Sequence, residues 1–256
     1  MHLNPFDFTG ATAIVVGGAT GLGAAVAEAL VDQGAAVCIV ARSEDKARQA
    51  ADVLATRSNR RCHAYAADFA KEESVQALGQ EVDRLFDGRL NIAVNCAGIN
   101  IRNPIERVTL SEWESVQRVN STGAFLFAGA MYPRLKRAAW GRLIHMTSIF
   151  ASRSFKNRSS YASSKGALLQ LTRTLAIEWA GENITVNAVS PGPFLTEMTR
   201  PLVNDQEAYR QLCANIPIGR FGEPYEIVTA CLFLASPASS YVTGAEVAVD
   251  GGWMAT

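Results

Sequence analysis

The stretch Ile14-Val15-Val16-Gly17-Gly18-Ala19-Thr20-Gly21-Leu22-Gly23 decides how this chain is read. An apolar β-branched run meets a cluster of glycines, and a helical pattern opens at Gly21. Strand, glycine turn and helix in that order form a phosphate cradle. Glycines permit the tight turn and close backbone approach, and the helix start offers free N–H groups and the positive end of its dipole. The spacing is GxxxGxG over Gly17, Gly21 and Gly23, and Thr20 and Leu22 lie within the same turn. No Lys-Ser/Thr pair follows, which excludes a Walker-type site. Taken alone, the motif is equally consistent with a glycine turn that holds no ligand.

Working outward, short apolar runs recur at 13–16, 36–41, 62–66, 91–94, 143–147, 185–189 and 246–249. Stretches of helical period lie between most of them, at 21–33, 44–56, 71–86, 111–138 and 160–180. Continuous apolar strands alternating with helices predict a parallel sheet covered on both faces. Seven strands in one unbroken alternation predict an α/β fold with a doubly wound, Rossmann-type parallel sheet, in a single domain spanning 1–256. In such sheets ligands bind beyond the carboxyl ends of the strands.

Composition agrees with this. The chain has 256 residues, 48% of them hydrophobic, with 24 basic and 24 acidic side chains, so its formal charge is zero. That length supports a large core, and the charge balance excludes a disordered polyelectrolyte and gives no reason to expect nucleic acid. Five cysteines stand at 38, 62, 96, 213 and 231 with no CxxC pair, which points to free thiols in a reducing compartment and to no metal site. The uncharged stretch 8–27 carries five glycines and makes a poor membrane span. No basic residue other than His2 precedes it, unlike a secretory signal. The expectation is a cytoplasmic protein with no membrane partner.

Residues just after the strands carry the chemistry. The second strand ends Ala41-Arg42-Ser43, with no acid to hold a ribose 2′-hydroxyl. Arg42, with Ser43, is placed to meet a 2′-phosphate instead. Asp68, followed by Phe69, ends the third strand, as an acceptor for an adenine or as a helix N-cap. Tyr161 and Lys165 are four apart on one helical face. An ammonium beside a phenol favours the phenolate and is expected to lower its pKa toward working pH. Ser148 ends the fifth strand. Asn120 sits mid-helix, where its amide competes with the backbone ladder.

These residues, in this order, resemble the short-chain dehydrogenase/reductase family over nearly the whole chain. The motifs are Gly17-x-x-x-Gly21-x-Gly23, Asp68, Asn95-Cys96-Ala97-Gly98, Asn120, Ser148, Tyr161-x-x-x-Lys165, and Pro191-Gly192 followed by Thr196. Val16 and Cys96 depart from the residues most frequent there, Thr and Asn. The resemblance implies that Tyr161 is the acid/base, that Ser148 polarises the substrate oxygen, and that Lys165 tunes Tyr161 and holds the nicotinamide ribose. It implies that Asn120 holds a relay water. Asn95, Ala97, Gly98, Pro191, Gly192, Phe194 and Thr196 would line the cofactor. Ala41-Arg42 in place of an acid makes NADP(H) the favoured cofactor with NAD(H) possible, and the resemblance further implies a lid at about 193–217 and a homotetramer packed through the long helices.

Substrate is read from two loops. Arg102 follows the fourth strand, and Arg153, with Phe155, follows Ser148. The loop 151–158 holds three cations and no acid, which suits a polar or anionic small molecule. Arg102 and the nearby Pro104 locally resemble sugar-acid dehydrogenases of the gluconate 5-dehydrogenase type. An apolar ketone, with Ile99, Ile101 and Phe155 shaping the pocket, is the alternative. A 3-oxoacyl thioester is another, although Ala139-Trp140 and Glu182 stand where carrier-docking cations are expected. A non-catalytic dinucleotide-binding regulator is the remaining one.

Overall fold

The computed structural model describes residues 4–256. Seven strands form one sheet: β1 Thr12–Val16, β2 Ala36–Ala41, β3 Cys62–Ala66, β4 Ile92–Asn95, β5 Gly141–Met146, β6 Ile184–Pro191 and β7 Glu246–Val249. Their order is β3-β2-β1-β4-β5-β6-β7, and every pairing is parallel. The strand path therefore reverses between β1 and β4, and this opens the ligand crevice at their carboxyl ends.

The described residues form nine α-helices, most of them packed on the sheet: α1 Gly21–Asp32, α2 Glu44–Ser58, α3 Glu72–Phe86, α4 Leu110–Gln117, α5 Gly123–Arg137, α6 Ser159–Glu178, α7 Arg200–Asn204, α8 Gln206–Cys213 and α9 Val228–Ala235. Every residue of β4, β5 and β6 is buried. The reason is that apolar clusters lie on both faces. One joins Val15, Ile39, Val94 and Ile144 to Leu30 and Leu234. The other joins Ile14, Val40 and Leu143 to Leu78, Phe127 and Trp179. None of the described helices is long and apolar enough to cross a membrane.

The expected single helix over 111–138 is divided. Between α4 and α5 runs a π-helical turn, Arg118–Thr122, with Asn120 at its centre. An extra residue in one turn frees backbone groups and re-aims a side chain, which is why π turns mark functional positions. β5 begins two residues earlier than its apolar run suggests. Arg142, only 1% exposed, donates from Nε to the Ser236 carbonyl at 3.1 Å and from Nη2 to that of Pro237 at 3.3 Å. Those carbonyls, with the Trp140 ring 5.3 Å away, let a guanidinium occupy a central strand.

Candidate active site

The glycine turn is built by close contact. Gly17 and Gly21 have φ of 72° and 57°, the left-handed region that suits glycine. A side chain on Gly17 would lie 3.1 Å from the Cys96 carbonyl, so the turn packs directly on the segment after β4. Thr196 overhangs the same turn, its Cγ2 3.5 Å from where a Gly21 Cβ would stand. No acid occupies the first turn of α1, and Thr20 makes no side-chain cap, so the helix start keeps its N–H groups for an anion. Leu22 is half-buried beside the core. These features fit a dinucleotide pyrophosphate.

Around the rim, Arg42 is exposed after β2, and the Ser43 hydroxyl accepts from the Lys46 amide as the α2 N-cap. Asp68 is not the cap of α3, which is Lys71. Its Oδ1 accepts from the Ala70 amide at 3.0 Å. Phe69 turns its ring into the core, 5.6 Å from that of Phe127. Asn95 is buried and accepts from the Ala97 amide at 3.1 Å, which shapes the β4 exit. Pro191 ends β6. Gly192 lies against Asp250, and Phe194 is buried against Gly222.

Asn120 clamps the loop after β4. Its Oδ1 accepts from the Ile99 amide at 2.9 Å, and its Nδ2 donates to the Ile99 carbonyl at 3.0 Å and to Ser164 Oγ at 2.9 Å. Both amide hydrogens are thereby taken, which leaves Oδ1 one acceptor site. Lys165 Nζ and Asn120 Oδ1 both border Gly98, at 3.3 and 3.5 Å from an added Cβ. Lys165 is buried and donates to the Met146 carbonyl at 2.7 Å; burial pulls its pKa down to about 8.

Tyr161 departs from expectation. Its pKa is raised, because desolvation outweighs everything else. The groups pulling it back down are the Ser148 hydroxyl, Arg158 and Arg102, and Lys165 is not among them. Lys165 Nζ lies 5.8 Å from the Tyr161 ring centroid and is turned toward the strand carbonyl. Burial therefore favours the protonated phenol over the phenolate.

The two substrate arginines also separate. Arg102 stays half-buried and is felt at Tyr161. Arg153 is exposed and donates from Nη2 to the Met254 carbonyl at 2.9 Å, so it is not brought beside Arg102. Phe155 stacks 6.3 Å from Phe150 and meets Trp253 edge-on at 6.2 Å. Phe150 in turn lies edge-on to Tyr161 at 6.5 Å. Sequence reasoning counted Arg158 among the three cations of the loop 151–158 without singling it out, and missed Phe150 and Ser164. Arg158 had a legible signal, since it precedes Tyr161 by three residues and helical pitch places the pair on one face.

Comparison with known proteins agrees with this geometry. Residues 17–254 match the family model described as enoyl-(acyl carrier protein) reductase, one of the models for short-chain alcohol dehydrogenases. The chain is 35% identical to the 3-oxoacyl-(acyl-carrier-protein) reductase of Aquifex aeolicus, over 95% of this chain and 97% of that one. It superposes with a TM-score of 0.94 and 36% identity on a putative NAD(P)-dependent gluconate 5-dehydrogenase from Beutenbergia cavernae with bound NADP, covering 99% and 100% of the two chains. A gluconate 5-dehydrogenase from Burkholderia cenocepacia, in complex with NADP and tartrate, gives a TM-score of 0.95 at 32% identity with both chains fully covered. With its motifs, sheet order and full-length matches all in agreement, the chain belongs to the short-chain dehydrogenase/reductase family of oxidoreductases.

Proposed function

We propose that this protein interconverts a secondary alcohol and a ketone with NADP(H), on a polar, anionic substrate of the sugar-acid or keto-sugar-acid class. The observation that carries this reading is the half-buried Arg102 guanidinium, whose charge is felt at the Tyr161 hydroxyl, with no carboxylate among the groups that perturb it. Such a cation in a cleft calls for an anion. The relatives in complex with NADP, two of them gluconate dehydrogenases by description, support the same cofactor and substrate class here.

A bound nicotinamide supplies or accepts the hydride at the reacting carbon. Tyr161 gives its proton to the oxygen in reduction and takes it in oxidation. Ser148 stands beside the phenol and holds the same oxygen. Lys165 is anchored to the Met146 carbonyl and positions the ribose, and Asn120 offers its remaining acceptor site beside Lys165 for proton refilling. Residues 193–217, which carry the short helices α7 and α8, would serve as a lid over this cleft. Reduction of a 3-oxoacyl thioester is less well supported, since Ala139, Trp140 and Glu182 offer no cation for an acidic carrier, and Lys136 is already paired with Glu182 at 2.9 Å.

An NADPH-oxidation screen over keto-sugar acids, neutral keto sugars and simple ketones tests the reading. The acids are expected to give the highest kcat/KM, and a preference for simple ketones would overturn it. For the cofactor, Arg42→Ala is expected to weaken NADP⁺ binding by roughly ten- to a hundredfold, the scale of a lost charged hydrogen bond, and to spare NAD⁺. Equal loss for both cofactors, read by fluorescence titration, would remove Arg42 from the 2′-phosphate.

The homotetramer follows from the same reading. Phe125 on α5 and Ile177 on α6, 61% and 81% exposed, are side chains that packing between the long helices of two subunits would cover. Phe125→Asp is expected to lower the sedimenting mass; an unchanged mass would move the interface elsewhere. The reducing cytoplasm is the setting that five unpaired cysteines support.

A further inference from the structure

Arg158 stands at the mouth of the cleft with a buried Nε that has no hydrogen-bond partner. Asn157, in the left-handed region at φ 61°, swings the chain into α6, and Arg158 is the residue at its N-cap. Its side chain makes no cap. The guanidinium lies over the Phe150 ring, 5.9 Å from its centroid, and Phe150 is the ring that packs edge-on to Tyr161. The one weak bond it makes runs from Nη1 to the Asn157 carbonyl at 3.4 Å. Asn100 Oδ1 in the loop that carries Arg102, and the Ser159 and Ser160 hydroxyls beside Arg158, are also buried without partners. Native proteins rarely leave buried polar groups unsatisfied, and such a concentration marks a place where a ligand completes the set.

We propose that Arg158 and Arg102 together form a two-guanidinium clamp for a substrate carboxylate, which makes Arg158 a specificity-determining residue and the substrate a hydroxy or oxo acid whose carboxylate lies within a few bonds of the reacting carbon. The inference rests on the anionic-substrate reading above and adds a second cation and a distance class to it. Burial, and after it the Arg102 charge, brings Arg158 down to about 10, and burial lowers Arg102. Two like charges held near one phenol repel each other, and a bridging carboxylate offsets that repulsion. Arg158 stands three residues before Tyr161 at the start of α6 and over the Phe150 ring that packs on Tyr161, and both charges act on the phenol, so a carboxylate held by the pair lies close to the reacting oxygen. The Phe150 ring, 5.9 Å from the guanidinium, helps to hold it in place by a cation–π contact while leaving its N–H groups for an anion. Arg153, bound to the Met254 carbonyl, takes no part.

The test uses a dead-end complex, which needs no turnover. Protein saturated with NADPH is titrated with 3-hydroxybutanoate and with the matched neutral 3-hydroxybutanamide, read by NADPH fluorescence. Wild type is expected to bind the acid at least about tenfold more tightly than the amide, and both Arg102→Gln and Arg158→Gln to lose roughly that preference. Arg158→Lys is expected to restore part of it, since charge returns without the planar fork. The NADPH dissociation constant of each variant reports that it is folded. If wild type shows no preference for the acid, or binds neither compound, the anionic reading itself fails and the clamp with it. If Arg102→Gln abolishes the preference and Arg158→Gln leaves it intact, the anionic reading stands and the clamp is overturned.

Discussion

Tyr161→Phe is expected to reduce turnover by about two to four powers of ten, the usual effect of removing one acid/base group. The phenyl ring keeps its edge-on packing against Phe150, so the pocket keeps its shape and only the transferable proton is lost. NADP(H) binding is expected to hold near its wild-type value, because the proposed cofactor contacts, the glycine turn and Lys165, are untouched. The direction of the Tyr161 shift gives a second readout. Burial raises the phenol above its ordinary 10.0, against the pull of Ser148, Arg158 and Arg102. The protonated form is the one that donates to a ketone, so reduction is expected to run level through neutral pH and to fall in the alkaline range. Oxidation needs the phenolate and is expected to rise as pH increases. A Tyr161→Phe enzyme with near-normal steady-state rate would remove Tyr161 from the chemistry.

How much of this was legible depends on the length scale of each signal. β2, β3 and β7 fall where their runs place them: β2 because a continuous apolar run suits burial on both faces, β3 and β7 as the half-buried edges of the sheet. The start of β5 was hidden because Arg142 reads as a surface charge until the Ser236 and Pro237 carbonyls, almost a hundred residues away, are seen to receive it. Asn120 was visible as a poor helix former, but the π turn that turns its amide onto the backbone of Ile99 and onto Ser164 depends on partners from other elements. The spacing of Tyr161 and Lys165 placed both on one face, as found, but the electrostatics inferred from that spacing did not follow. Desolvation depends on what covers a group, and sequence distance does not report it. The same limit explains Arg153 and Arg158. Both lie in the loop 151–158, yet only the second is on the helical turn below Tyr161, and the first is drawn off by a carbonyl near the C-terminus.

Gly23→Ala tests the cradle on which the cofactor reading stands. Gly23 lies inside α1, where alanine would ordinarily gain about 0.5–1 kcal/mol over glycine. Here an added Cβ would stand 2.2 Å from the Gly17 carbonyl oxygen and 2.8 Å from its carbon. Both are backbone atoms of the turn, so no side-chain rotation relieves the contact, and Cys96 Cβ at 3.2 Å closes the other side. The start of α1 must move off the turn, which costs about 1–3 kcal/mol by overpacking. The thermal midpoint is expected to fall by roughly 2–4 °C per kcal/mol for a chain of this size. The same displacement pulls the α1 N–H groups away from the pyrophosphate. Losing even one charge-assisted hydrogen bond there weakens NADP⁺ by roughly ten- to a hundredfold. Gly181→Ala is the control, since its Cβ would meet nothing within 4 Å, and it is expected to leave both quantities unchanged. Titration of NADP⁺ and a thermal melt on the two variants decide the matter. A Gly23→Ala protein with wild-type affinity would mean that the phosphates do not sit on this turn, because the clash falls on the two backbone segments that must hold them.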